Sequence, residues 1–159
     1  MRGLGRMIVE GETMKNQNST NLRGVSNRRR WRGSAVLDAA LVFPILLSLT
    51  FGTVEYGYYF YVKHTLQGAA REGARAAIPS TATNALVTAA VSNAMTAAGL
   101  QNSGYSVTPS PSDVSTVAAG QPITVTVACT WGTVGSGFRP LGLIGSTKQV
   151  KGITVMRKE

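Results

Sequence analysis

The residues able to do chemistry in this 159-residue chain are few. There is one histidine, His64, and one cysteine, Cys129. Beyond residue 33 the carboxylate side chains are Asp38, Glu55, Glu72, Asp113 and Glu159. Catalysis and metal binding need several such groups to converge. Here they are scattered singly, with no paired-acid spacing, nucleophile elbow, metal-ligand spacing or phosphate-binding loop. The sequence argues against an enzyme and for no cofactor and no metal. His64 has no second ligand in reach of it and reads as a surface residue. Two carboxylates stand in an unusual setting: Asp38 and Glu55 bracket sixteen residues that carry no charge.

The element that must position them is the apolar stretch from Gly33 to Val62, GSAVLDAALVFPILLSLTFGTVEYGYYFYV. As a helix it is about 45 Å long at 1.5 Å per residue. The hydrocarbon core of a bilayer needs about 20 helical residues. The pattern predicts a membrane-spanning helix over residues 34–62 whose far end projects into water. The net charge of +9 is uneven, with +6 in residues 1–33 and +3 in the remainder. Arg28, Arg29, Arg30 and Arg32 abut the apolar run and hold that end in the cytoplasm by the positive-inside rule. A basic arm also suits nucleic acid, but that reading leaves the apolar helix unexplained, so no nucleic-acid partner is expected. Pro44 removes the hydrogen bond to the Ala40 carbonyl. It predicts a helix kink, read either as merely tolerated or as a turn that melts when subunits repack. Glu55 lies about 31 Å along the axis from Ser34, near the outer interface. Tyr56, Tyr58, Tyr59 and Tyr61 surround it as an aromatic belt would. Glu55 reads as an interface residue and a candidate subunit contact.

The run Arg32-Gly33-Ser34-Ala35-Val36-Leu37-Asp38 resembles the processing site of class III (type IV-like) signal peptides, which are cut after a glycine and carry an acidic residue at the fifth mature position. A cut between Gly33 and Ser34 makes Asp38 that fifth residue. The longer stretch from Gly33 to Arg75 resembles the TadE/TadG family of pilin-like proteins from tight-adherence (Flp) pilus systems. Its shared features are the glycine, the acidic residue, a helical proline, Phe51-Gly52-Thr53-Val54-Glu55-Tyr56-Gly57 and Ala69-Ala70-Arg71-Glu72-Gly73-Ala74-Arg75. The resemblance implies a minor pilin or pseudopilin in the inner membrane, with its C-terminal domain exported. It implies as partners a prepilin peptidase, other pilin-like subunits including the major pilin, and an inner-membrane assembly platform. It further implies that Asp38 pairs with the N-terminal amine of a neighbouring subunit. A carboxylate one turn into a membrane helix is costly to desolvate. Cleavage would create an ammonium at Ser34, four residues away and on nearly the same helix face. The alternative for Asp38 is a place at headgroup level beside Arg32. The alternative for the whole chain is an unprocessed single-pass anchor displaying a small binding domain.

The flanking regions complete an expected α+β layout. Residues 1–33 read as a basic cytoplasmic leader that is disordered and cleaved, the first 27 being polar and aperiodic. Met1, Met7 and Met14 are all candidate starts. Residues 63–159 read as the exported pilin-like domain. In it the long helix continues, with Val62, Leu66, Ala69, Ala70, Gly73 and Ala77 at helical spacing. These small residues permit close approach of a sheet or another helix, which makes Gly73 a second candidate subunit contact. Pro79 ends the helix. A second helix is expected over residues 84–98. Its apolar face holds Leu86, Val87, Ala90, Val91, Ala94 and Met95, with Thr83 or Asn84 as cap and Gly99 as stop. A short strand is expected over residues 105–108. Residues 123–130 alternate most clearly, pointing Ile123, Val125, Val127 and Cys129 to the core. Residues 132–147 read as a loop whose patch, Leu141, Leu143 and Ile144, is assigned to the core, with a partner or the membrane surface as alternatives. A closing strand over residues 150–156 makes a small antiparallel sheet. Cys129 has no second cysteine to pair with and reads as a small buried hydrophobe, an intermolecular disulfide being the alternative.

Overall fold

The computed structural model describes residues 27–134 and 140–159. The expectation of disorder in residues 1–26 lies outside them. Helix α1 runs from Asn27 to Ala76, 50 residues, and continues through Pro44. It therefore begins inside the stretch read as a disordered leader. Arginine is a good helix former, and the single glycine at 33 costs only about 1 kcal/mol relative to alanine. Nothing between Asn27 and Phe43 stops a helix.

The chain divides into two units, residues 1–44 and 45–159. In the first, the described backbone is helical and the side chains from Ala35 onward are exposed. The second begins well before residue 63, the domain boundary suggested by the sequence. Gly52, Glu55, Val62, Leu66, Ala69, Ala70, Gly73, Ala74 and Ala77 form a buried stripe. Their spacing of three and four residues keeps them on one helical face. The domain is thus built around the helix from Gly52 onward. The sequence conceals this because residues 52–62 are as apolar as a membrane segment.

Helix α2, Asn84–Ala97, starts at Thr83, whose hydroxyl accepts from the Leu86 N–H at 3.4 Å. Gly99 at φ +68° ends it in the left-handed conformation that glycine adopts without strain. Val87, Val91 and Met95 are buried. Leu86, expected on that face, is 54% exposed, because the buried stripe is one residue wide.

Three strands, β1 (Ser106–Ser110), β2 (Pro122–Thr130) and β3 (Gln149–Arg157), form an antiparallel sheet in that order. Pro109 is tolerated because β1 is an edge strand. Central β2 sends Ile123, Val125, Val127 and Cys129 into the core. Trp131 opens a short 3-10 turn after β2 and is fully buried. Its ring centroid lies 5.7 Å from that of Tyr58 and 5.3 Å from that of Tyr59.

The helix and sheet meet most closely at Gly152. A Cβ there would strike the Leu66 carbonyl. Next to it, Gln67 Nε2 donates to the Ile153 carbonyl at 2.8 Å, and the Ile153 N–H donates to Gln67 Oε1 at 3.2 Å. β3 is an edge strand, and both backbone groups of Ile153 are taken by this helix side chain. A helix side chain therefore takes the place of a missing fourth strand at one residue.

Candidate functional site

The processing segment lies in the first unit. Gly33 is exposed, and nothing stands within 4 Å of the place a Cβ would occupy. Asp38 is exposed one turn beyond Ser34. The Gly33–Ser34 peptide is part of the continuous α1 backbone. Arg28, Arg29, Arg30 and Arg32 are on the same helix, and their side chains lie outside the described ones.

The second group of sequence-selected residues lies farther along α1 and has a different setting. Glu55 is fully buried. Its Oε2 accepts from the Leu141 N–H at 3.3 Å and its Oε1 from the Ile144 N–H at 3.1 Å. Each carboxylate oxygen holds one backbone donor of the segment that precedes β3. A Cβ placed on Gly52, one turn earlier, would lie 3.5 Å from Leu143 Cδ1. Glu55 is thus a latch between α1 and this loop. A carboxylate is costly to bury without hydrogen bonds, and the loop backbone supplies them.

The aromatic belt is also reassigned in part. Tyr58 and Tyr59 are half-buried against Trp131, while Tyr56 and Tyr61 remain exposed. The Tyr61 hydroxyl donates to the Ala98 carbonyl at 2.7 Å. Gly73, the other candidate subunit contact, faces the core of its own domain. A Cβ on it would come within 2.6 Å of Val91 Cγ2 and 3.2 Å of Val125 Cγ1. The stretch Ala69–Arg75 is split by the helix: Ala69, Ala70, Gly73 and Ala74 are buried, and Arg71, Glu72 and Arg75 are exposed.

His64 and Asp113 are exposed and well separated in the chain. The Asp113 carboxyl is held below its ordinary pKa by hydrogen bonds from the Ser115 hydroxyl and N–H. Burial pushes the Cys129 thiol above its ordinary value. Three contributors had no readable signal. Gln67 and Trp131 stand outside any motif. Lys158, next to the last residue, is buried and donates from Nζ to the Val114 carbonyl at 2.7 Å.

The geometry offers an accessible helical peptide followed by an acid, and a helix seam shaped for its own domain. Residues 33–75 match the family model described as TadE-like protein. Among curated proteins and among solved structures nothing matches. The matched stretch starts at the exposed glycine and stops one residue before the end of α1. It contains both Glu55 and the Gly73 packing seam. The match covers 43 of the 159 residues, and over them the chain is similar to the TadE-like family.

Proposed function

We propose that the protein is a minor pilin or pseudopilin of a tight-adherence pilus system, anchored in the inner membrane and processed by a prepilin peptidase after Gly33. The observation that carries this reading is the family match over residues 33–75, which begins at the glycine of the processing pattern. A helix long and apolar enough to cross a membrane, within Ala35–Ala76, supports the anchoring. The basic residues before it favour a cytoplasmic N-terminus and an exported domain.

In this reading the chain is a substrate and not a catalyst. Hydrolysis of the Gly33–Ser34 amide adds water, leaving a carboxylate on Gly33 and an ammonium on Ser34. That bond must leave the helix to be attacked, and glycine, the weakest helix former after proline, eases the local unwinding. The new ammonium, on this subunit or on a neighbour, neutralises Asp38 as the helix moves from lipid into a bundle of related helices. Pilin-like subunits and the assembly platform are the partners.

The test is the intact mass and N-terminal sequence of the membrane-extracted protein, with and without co-expressed prepilin peptidase. The expected result is a peptidase-dependent N-terminus at Ser34, abolished in Gly33→Val. The alternative, an unprocessed anchor, is favoured by the unbroken helix across the scissile bond. A retained leader under conditions where the peptidase cuts another prepilin would establish that alternative.

A further inference from the structure

We infer that the loop before β3 is a membrane-seated element, with Leu141 and Leu143 in the outer leaflet. The inference rests on the anchored reading above and adds a second lipid contact to it. Counting about 20 helical residues across the hydrocarbon from Ala35, where the apolar candidate span begins, reaches Val54. Gly52 and Glu55 then lie at the outer edge of the hydrocarbon. The loop is fastened at this level by the two Glu55 hydrogen bonds and the close approach of Leu143 to Gly52.

The loop has the chemistry of that location. Residues 140–147, PLGLIGST, carry no charge. Ile144 turns inward, 8% exposed, while Leu141 and Leu143 turn outward, 40% and 55% exposed. Gly142 between them takes φ +62°, with open space around it. Leu143 joins Leu49, Tyr56 and Phe60 in lining an apolar groove of about 600 Å3. Two threonine hydroxyls on this part of the helix are satisfied internally: Thr50 Oγ1 donates to the Leu46 carbonyl at 2.8 Å and Thr53 Oγ1 to the Leu49 carbonyl at 2.9 Å. The first charge after the loop, Lys148, sets its ammonium 6.0 Å from the centre of the Tyr59 ring. A lysine beside an aromatic ring suits the headgroup layer. In water two leucines at a loop tip are unfavourable. In a leaflet they are matched, and the same loop keeps lipid from the Glu55 carboxylate.

The test uses full-length protein in lipid nanodiscs, in a Cys129→Ala background. Single cysteines at Leu143→Cys or Leu141→Cys carry an environment-sensitive nitrobenzoxadiazole label. Leu46→Cys is the control in the apolar helix and Lys151→Cys the control on the exposed face of β3. Circular dichroism confirms that each variant is folded. The expected result is blue-shifted emission at Leu143, quenched by doxyl-labelled lipid as at Leu46 and untouched by iodide, with Lys151 quenched by iodide alone. Iodide quenching at both loop positions, with Leu46 still quenched by lipid, would overturn the inference while leaving the anchor standing. Shielding of the loop from both quenchers would overturn it in favour of a second copy of the chain in the groove. Iodide quenching at Leu46 would overturn the anchor and the inference together.

Discussion

Glu55 is the residue on which most of the sequence's chemistry turns out to be structural. Its carboxylate holds two backbone N–H groups that are 86 and 89 residues away in the chain. Glu55→Ala leaves both donors without their acceptor, at a cost of about 1–3 kcal/mol for each group that stays dry. Chemical denaturation in detergent micelles should show this loss. Glu55→Gln, which keeps one carbonyl acceptor, should lie between the variant and the native protein. Cys129 gives a prediction with a definite sign. Burial raises its thiol pKa in the folded state, so the unfolded chain ionises first, near pH 8.5. The associated stability is complete below that pH and declines as pH rises toward the folded value. A denaturation series from pH 7 to 10 should show an alkaline decline that Cys129→Ala lacks. Maleimide should modify Cys129 slowly in the native protein and quickly in urea.

The elements were legible where one period dominates. The second helix and strands β2 and β3 were expected to within one residue at each end, because caps and strict alternation mark them locally. β1 was placed within two residues at each end. Helix α1 was legible as a helix but not as two environments, since lipid and a protein core both select apolar residues. The information that separates them is residue size. Gly52, Gly73 and the alanines between Leu66 and Ala77 form a stripe of small residues, with Leu143 packed close at Gly52 and Val91 and Val125 at Gly73. Such stripes also suit helix pairing in membranes, which is why Gly73 reads as a subunit contact before the fold is known. At this scale the glycines give an ordered prediction. Gly73→Ala drives a methyl against the buried Val91 side chain. Overpacking of that kind costs about 1–3 kcal/mol. Gly152→Ala meets the rigid Leu66 and Gln67 backbone and should be the more damaging of the two. Thermal melts followed by far-ultraviolet circular dichroism would rank them, and a milder effect at Gly152 would contradict the close helix–sheet contact.

At the scale of the whole molecule, the domain owns part of the helix that its sequence assigns to the membrane. A fragment of residues 45–159 retains Gly52, Glu55, Tyr58, Tyr59 and Val62, all packed in the second unit. It should fold in mild detergent and show cooperative unfolding by Trp131 fluorescence. A fragment of residues 63–159 lacks these groups, so Trp131 loses both aromatic neighbours and the loop loses its acceptor. It should fail to unfold cooperatively. Two equally stable fragments would place the domain boundary where the sequence alone suggests it.

The long span of the Glu55 latch also sets an order of events in time. Synthesis delivers the acceptor first and its two donors 86 and 89 residues later, with β3 later still. Closing so long a loop gains nothing until both ends are present. Glu55 therefore waits, solvated, until most of the chain has emerged. A chain that stalls before Leu141 keeps a bare carboxylate on its apolar helix, and that exposed charge distinguishes an unfinished molecule from a finished one.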